Sequence, residues 1–445
     1  MGFLSLTYTR PQHVEQQSLQ CSRESLSDEK TDGSVKSGRS GHSAGIPDSL
    51  SFDNVMNGGT CPPMTIRDFM NYLIYVEHSA ENLQFYLWYK DYVKRFHEAN
   101  ASDISLAPAW TQIMEDEAVA KIRKEHATKT RSPPGAASIF RGTDFEKKFA
   151  EMPENALNPF NSPPQSSNGG SNKGSIDAAS RTMPIAISGS YNSQAADAFQ
   201  SAGARLPFTI QPFREEINRV IATYIMNGAP RQLNLASWEQ KAAVQALSHT
   251  THPTALRGIF GTVDSSLRQQ AHPNFVRWSI CNGNPARVLY ARFLGVFLIV
   301  AGFAIAIPIT LSKLNRGYRA VAAIAWILGI STLVAAYKGL CVVLHGMHHR
   351  HVRPWELFMQ DDGEKPNKRS FDSFGTQNSY EDEPWVVKYK NRNVVRKVFD
   401  REVWIQEPAL RQIQDTIFVQ ALLASVLLSV VLAAIFVAVP QGHLF

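Results

Sequence analysis

The stretch from His78 to Tyr92 contains the polar residues best placed to bind another molecule. Ser79 is a residue type that caps helices, and the apolar residues after it recur at helical spacing, which predicts a helix. Glu81 and Asn82 would then lie in the first turn of this helix. Packing against neighbouring helices requires only apolar residues, so this acid and this amide are candidates for hydrogen bonds to a partner.

A second predicted helix precedes this one and meets it at a corner. Thr65, followed three residues later by Asp68, forms a capping-box pattern, and the apolar residues after it lie on one helical face. The sequence therefore predicts two short amphipathic helices that join at Ser79.

A comparable pattern returns further along the chain, again with a polar residue in a loop. Asn234 lies between a helical apolar pattern and a helix that Ser237 is predicted to cap, with Gln240 at the third position. A further helix is predicted to begin at Pro253 and to close at the segment that starts with His272. Asn234 is therefore another candidate for partner binding.

The corner resembles the regulator-of-G-protein-signalling (RGS) domain, whose members carry a similar Ser-x-Glu-Asn-Leu-x-Phe signature, here beginning at Ser79. The resemblance covers residues 63–128 and 205–285, roughly 140 residues, which is about the size of one all-α domain. It implies a module that binds a G-protein α subunit (Gα) and holds the switch segments of that protein in their transition-state arrangement. The resemblance assigns the contact with those segments to Glu81, Asn82 and Asn234.

One part of the family pattern is missing. Active members present an acidic residue in the last helix and, four residues on, a basic one. An alignment on Phe275 places Gln270 and Asn274 at these positions. The resemblance thus assigns both residues to the partner-binding surface, but predicts docking on Gα with little activation of GTP hydrolysis.

Two segments lack the apolar residues that a core requires. Residues 1–62 are predicted to be a disordered tail, and residues 129–204 a disordered insertion that splits the RGS-like domain. Within the insertion, Asn158, Pro159 and Phe160 resemble the tripeptide that EH domains of the endocytic machinery recognise. Ordinary linker sequence is the alternative interpretation.

Three apolar runs follow Asn282 and are long enough to cross a bilayer. The predicted spans are 293–311, 319–344 and 416–440, with a loop at 345–415. Buried core helices are the alternative, but three such runs in one chain favour a membrane.

Lysine and arginine residues near the span ends predict the orientation. One side has seven (Arg277, Arg287, Arg292, Lys338, Arg350, Arg353 and Arg411) and the other has three (Lys313, Arg316 and Arg319). We therefore expect the amino-terminal region and the 345–415 loop to face the cytosol.

Small residues recur at every fourth position of the third span, at Ala421, Ser425, Ser429 and Ala433. Such residues let helix backbones approach closely, so they predict a helix-packing face that could also support self-association. Simple composition is the alternative, because Ala and Ser are common in spans.

The 345–415 loop has two notable features. Four histidines from His345 to His351 lack a suitably interleaved cysteine or carboxylate, so a polar collar is expected and no metal. In addition, one face of a possible helix is predicted to carry Val394, Val395, Val398, Phe399 and Trp404, surrounded by lysine and arginine residues. This segment could lie on the anionic inner leaflet or pack on the RGS-like domain.

Charge and motif content argue against a nucleic-acid-binding protein and against an enzyme. The net charge of +6 comes from dispersed basic residues, so nucleic acid is not an expected partner. The sequence has no nucleophile motif and no phosphate-binding glycine loop, so we expect neither an enzyme nor a cofactor.

The order of these parts predicts an all-α protein: an RGS-like helical bundle split by a disordered insertion, then three transmembrane helices. This order resembles fungal bud-site-selection membrane proteins with an RGS-like domain. The resemblance implies a cortical landmark or scaffold in cell polarity at the plasma membrane, which could also visit endomembranes, with a second membrane glycoprotein as partner. The alternative is a membrane-tethered GTPase activator that attenuates heterotrimeric G-protein signalling.

Overall fold

The computed structural model describes residues 46–131, 185–208, 210–359, 371–375, 377–378 and 383–440, with the backbone alone for 125–131, 185–190, 359 and 384. These residues are mostly helical, as predicted. The helices are α1 (Phe52–Met56), α2 (Ile66–Tyr72), α3 (Ala80–Glu98), α4 (Ala101–Ser105), α5 (Gln112–Arg131), α6 (Ile185–Ser201), α7 (Arg214–Val220), α8 (Ser237–His249), α9 (Arg257–Ser266), α10 (His272–Ile280), α11 (Pro285–Leu311), α12 (Ala322–Tyr337), α13 (Val342–Gly346), α14 (Pro354–Met359), α15 (Pro384–Lys390), α16 (Val394–Val398) and α17 (Pro408–Ala438).

Shorter elements connect these helices. Single 3-10 turns span Asp48–Leu50, Pro253–Leu256 and Arg316–Val321. Segments of π-helix span Leu73–Glu77, Ile221–Ile225 and Leu267–Ala271. Two strands, β1 (His349–His351) and β2 (Glu402–Trp404), pair antiparallel with His349 opposite Trp404 and His351 opposite Glu402.

The described residues form two compact units. The first contains the residues up to Tyr92 and those from Phe260 onward, and the second contains Val93–Ile259. The predicted domain of residues 63–128 and 205–285 therefore contributes to both units. An RGS-like bundle remains a prediction.

The segment just before the predicted domain is folded, so the prediction of a disordered tail is wrong for residues 46–62. Leu50, Phe52 and Val55 are buried. The Nε2 atom of His272 lies 2.8 Å from the carbonyl oxygen of Leu50, and Arg268 donates two hydrogen bonds of 2.7 Å to the Asp53 carboxylate. These contacts attach α1 to the Leu267–Ala271 segment and α10. The rest of the predicted tail, residues 1–45, lies outside the described residues.

The insertion also contains structure that the sequence interpretation missed. Helix α6 lies inside the range 129–204 that we predicted to be disordered, and its residues Ala195, Ala198 and Phe199 are buried. These three side chains recur at the spacing of a helical face. Residues 132–184, which include Asn158, Pro159 and Phe160, lie outside the described residues.

Three helices are long and apolar enough to cross a membrane. They cover Pro285–Leu311, Arg316–Tyr337 (the 3-10 turn together with α12) and Pro408–Ala438. The second ends seven residues before the predicted limit of 344, because Gly339 adopts a positive φ of 84° and the chain turns there.

Close packing between the first two apolar helices depends on glycine. A Cβ atom added to Gly329 of α12 would lie 2.9 Å from the Gly295 carbonyl oxygen of α11. One added to Gly302 would lie 2.5 Å from the ring of Trp326, which is fully buried. Glycine at these positions allows the two backbones, and the indole, to approach.

The third apolar helix, α17, buries one narrow face. Ala421, Ser425 and Ser429 are buried, and Ala433 packs against the cluster around Trp326. The predicted small-residue face thus lies inside the helical packing within this chain. Self-association through these residues stays a prediction.

A buried arginine joins the ends of these helices. Arg319 is fully buried and donates from Nη1 to the carbonyl oxygens of Phe436 (2.7 Å) and Val439 (2.6 Å). Its Nη2 atom lies 3.3 Å from the Thr310 carbonyl oxygen. The last carbonyls of a helix lack partners within the helix and carry partial negative charge, so a guanidinium group there stabilises both helix ends.

Candidate partner-binding site

The predicted corner is present in the structure. The Thr65 and Asp68 capping box is formed, α2 leads into the π-helical segment Leu73–Glu77, and His78 then adopts a left-handed conformation with φ of 56°. This residue reverses the chain direction, so that α3 begins at Ala80. The left-handed conformation costs free energy in a residue with a Cβ atom, so the surrounding structure must hold the corner in place.

Glu81 and Asn82 lie in the first turn of α3 and are half-buried. The backbone N–H of Asn82 donates to the Ser79 carbonyl oxygen over 3.3 Å. A carboxylate in the first turn also interacts favourably with the helix dipole, a contribution of about 0.3–1 kcal/mol. Glu81 therefore has a structural role in addition to the predicted contact with a partner.

The apolar residues of α3 fix the corner on a rigid base. Leu83, Phe85 and Tyr86 are buried, and the ring of Tyr86 stacks on Phe260 with 5.4 Å between centroids. The half-buried polar residues thus belong to a helix whose apolar face is anchored. This arrangement suits a binding surface, because little of it must be ordered when a partner arrives.

The 345–415 loop contacts this same helix through Asn378, a residue outside the segment that the sequence analysis considered for such packing. The amide groups of Gln84 and Asn378 exchange two hydrogen bonds of 3.1 Å each. Gln84 lies inside the Ser-x-Glu-Asn-Leu-x-Phe signature, three positions after Glu81 and so on the same helical side. The loop therefore occupies part of the surface beside the predicted contact residues.

Aromatic residues attach the 345–415 loop to the π-helical segment Leu73–Glu77 and to α10. The ring of Tyr75 stacks on Trp355 with centroids 4.8 Å apart, and Trp385 approaches it edge-on at 5.4 Å. Trp278 also stacks on Trp355, with 6.0 Å between ring centroids. The available signal in the sequence was the tryptophan content of the 345–415 loop, since a solvated linker has no use for large aromatic side chains.

Asn234 belongs to the second compact unit and is exposed. Its neighbour Leu233 is buried, and the Leu233 N–H donates to the Tyr224 carbonyl oxygen over 2.9 Å. The following helix has Ala236 as N-cap, with the Ala236 N–H bonded to Glu239, so the predicted capping by Ser237 with Gln240 is wrong. The loop thus presents Asn234 while anchoring the residue before it.

Gln270 and Asn274 lie near the middle of a continuous helical stretch and not at its end. The chain stays helical from Arg257 to Ile280, through a π-helical segment that ends at Ala271, so the predicted closure at His272 is wrong. Gln270 is exposed and Asn274 is half-buried. They share a unit with Glu81 and Asn82, whereas Asn234 lies in the other.

A charged pair with the family spacing does occur, six residues earlier. Asp264 and Arg268 are four residues apart and form an ion pair of 2.8 Å. Arg268 also binds Asp53, and its hydrogen bonds hold the pKa of Asp53 below the usual value. Burial instead raises the pKa of Asp264, in spite of the arginine. The alignment on Phe275 hid this pair.

The apolar and basic segment that begins at Val394 presents an exposed surface. Val394, Val395 and Phe399 are 66%, 63% and 65% exposed. Val398 points inward, and Trp404 lies on β2, so these residues do not form one face of a single helix as predicted. Among the residues that the structure describes, no cover over this surface is seen, which disfavours packing on the predicted RGS-like domain.

This surface adjoins the apolar helices. Phe399 contacts Tyr290 in the second turn of α11, with 6.1 Å between ring centroids. Trp404 precedes α17, and the Arg411 guanidinium lies 4.8 Å from its ring centroid. Aromatic and basic residues next to the ends of apolar helices are typical of the membrane interface.

The chain matches no family model, no curated protein and no solved structure.

Proposed function

We propose that this protein is a membrane-anchored scaffold that marks a site of polarised growth and binds a cytosolic protein through the corner at Glu81 and Asn82. The observation that carries the proposal is the position of this half-buried acid and amide on an anchored helix, in a chain with three apolar helices. The apolar helices would fix the position of the protein in the membrane, and the corner would recruit the partner.

The chemistry of the corner fits a protein partner. A carboxylate and amides can accept and donate hydrogen bonds to exposed backbone groups, such as those of the switch segments of a Gα subunit. Interfaces concentrate binding energy in few residues, so two or three well-placed polar groups on a rigid base suffice for recognition. A second membrane glycoprotein of the polarity machinery remains a proposed partner within the plasma membrane, with endomembranes as further locations.

GTPase activation is the second candidate function. It is favoured by the Asp264 and Arg268 pair, which has the acidic-then-basic spacing expected of active members of the RGS family. If this pair takes the place that the alignment gave to Gln270 and Asn274, the charged contact is retained. The function would then be attenuation of a G-protein signal at the membrane.

The experiment uses the full chain in lipid nanodiscs with a purified Gα subunit. Binding and single-turnover GTP hydrolysis are measured for the unmodified protein and for Asn82→Ala combined with Asn234→Ala. Asn100→Ala, at another exposed asparagine, is the matched control.

We expect the unmodified protein to bind Gα without accelerating its GTP hydrolysis. The double substitution should weaken this binding by about thirtyfold, equivalent to about 2 kcal/mol. Acceleration of hydrolysis would instead support the activator function. Equal binding by the double variant would show that the corner is not the binding site.

A further inference from the structure

A compact cluster of metal-ligand side chains lies beside the start of the third apolar helix. One nitrogen each from His345 and His348 and one carboxylate oxygen of Asp415 lie within 4.8 Å of one another. His345 belongs to α13 and Asp415 to the third turn of α17, so the chain folds back on itself to bring them together. The sequence interpretation dismissed metal because no carboxylate was interleaved with the histidines. The structure places Asp415 there.

The backbone holds two of these residues in position. His348 has a left-handed conformation with φ of 54°, which turns the chain from α13 into β1. Its N–H donates to the His345 carbonyl oxygen over 2.8 Å, and its own carbonyl accepts from the Ile405 N–H over 2.9 Å. The two histidines are thus arranged before any ligand binds, which reduces the cost of ordering a site.

The distances suit a small divalent cation. The Nε2 atom of His345 lies 3.5 Å from the Oδ1 atom of Asp415. Bonds of about 2.0–2.2 Å from zinc to nitrogen or oxygen separate neighbouring ligand atoms of a tetrahedron by about 3.3 Å. The ring centroids of His345 and His348 lie 5.9 Å apart, and the two rings are nearly perpendicular. A small rotation of the His348 side chain would therefore bring its ring nitrogen within bonding distance of the same ion.

The burial of the histidines and the exposure of the carboxylate are compatible with such a site. His345 is 6% exposed, and the Nδ1 atoms of His345 and His348 are buried without a hydrogen-bond partner among the residues that the structure describes. A buried imidazole without partners loses the hydrogen bonds that it would make in water. The Asp415 side chain is 52% exposed, which leaves a path for a cation to enter.

The neighbouring His349 and His351 also have buried ring nitrogens without a hydrogen-bond partner among the residues that the structure describes, but the charges around them differ. His349 and His351 lie 3.9 and 4.0 Å from Glu402, but Arg287 lies 3.6 Å from the same carboxylate. A guanidinium group at this distance competes with a cation for the carboxylate oxygens. His349 is therefore a suitable control position, since it belongs to the same segment and lies outside the cluster.

We propose that His345, His348 and Asp415 form a binding site for a divalent cation of the zinc class, with water as the fourth ligand. Two imidazoles and one carboxylate are a ligand set that Zn²⁺ and Co²⁺ both accept. The bound ion joins the segment after the second apolar helix to the start of the third. This site is independent of the partner-binding corner.

The test is titration of the chelator-treated full chain in nanodiscs with Co²⁺, followed by its visible absorption, and with Zn²⁺ by calorimetry. We expect one ion bound per chain with four-coordinate Co²⁺ absorption. Asp415→Asn and His348→Gln should each weaken binding at least tenfold, about 1.4 kcal/mol, while His349→Gln binds as the unmodified protein does.

Circular dichroism of each variant without metal shows whether its fold is retained. Asp415→Asn keeps the shape of an exposed side chain, so it provides a test even if a histidine variant misfolds. The proposal is overturned if the unmodified chain binds neither ion, because His345 and Asp415 then form only a polar pair. Equal loss in His349→Gln, or full binding by Asp415→Asn, would also overturn it.

Discussion

At the scale of single residues, His272 shows how a buried side chain makes stability depend on pH. It is buried among Phe52 and Phe69, with its Nε2 atom 2.8 Å from the Leu50 carbonyl oxygen. Burial lowers the pKa of His272 to about 4. The folded protein therefore keeps this imidazole neutral, with Nε2–H as the hydrogen-bond donor.

We predict that acid destabilises the first unit through this residue. In the unfolded chain a histidine has a pKa of about 6.5, so between pH 6.5 and pH 4 only the unfolded state binds the proton. Stability is complete above pH 6.5 and falls as the pH approaches 4, by about 3 kcal/mol in total. Thermal unfolding of the full chain in nanodiscs, measured across this range, tests the prediction.

His272→Gln provides the control, because an amide can also donate to the Leu50 carbonyl but does not titrate. The pH dependence of the unfolding free energy should lose the contribution of one bound proton. A residual slope is expected from His351, whose pKa burial also lowers to about 4. An unchanged slope in the variant would show that His272 is not the group responsible.

At the scale of elements, the contact between α11 and α12 depends on the absence of side chains at two glycines. We predict that Gly329→Val destabilises this pair, because the new Cβ would lie 2.9 Å from the Gly295 carbonyl oxygen and 2.8 Å from Ile299. Overpacking of this kind costs typically 1–3 kcal/mol. Unfolding in detergent measures the effect. Ala304→Val, at an exposed position of α11, should change stability little.

The segment from Val394 to Trp404 is a second element with a testable position. We expect its exposed apolar side chains to enter the headgroup region of an anionic bilayer, since lysine and arginine residues flank them and the apolar helices adjoin them. The relaxation of a spin label at Val395 in nanodiscs should be enhanced more by oxygen, which concentrates in lipid, than by a water-soluble nickel reagent. A label at Gln112, exposed in the second unit, should show the reverse. Preference for the nickel reagent at both positions would place the segment in water.

Local signals in the sequence predicted some of these elements well. The capping box at Thr65, the corner at His78 and the three apolar helices each depend on residues close together in the chain. Long-range partners were missed. Arg268 is 215 positions from Asp53, and nothing near residue 53 announces the contact that folds α1. The placement of Asp415 beside His345 likewise depends on the return of the chain through β1 and β2.

At the scale of the whole molecule, the orientation in the membrane is open to a simple test. Asn100, with Ala101 and Ser102, forms a glycosylation acceptor, and the Asn100 side chain is exposed. If the amino-terminal region faces the cytosol, this residue stays unmodified in a eukaryotic host. A glycosylation tag fused after residue 445 should be modified, because three spans place it on the other side. A glycan on Asn100 would reverse the assigned orientation.

The buried Arg319, in the 3-10 turn before α12, has a consequence for biogenesis. Its partners at the end of α17, Phe436 and the C-cap residue Val439, lie 117 and 120 residues further along the chain, so they have not yet been synthesised when the second apolar helix leaves the ribosome. Before the third helix is in place, the partner of the Arg319 guanidinium among the described residues is the Thr310 carbonyl oxygen, 3.3 Å away. A charged side chain without partners is more stable at the membrane–water interface than in the bilayer interior. We therefore expect the first two helices alone to form an incomplete intermediate with an exposed arginine, which the arrival of the third helix conceals.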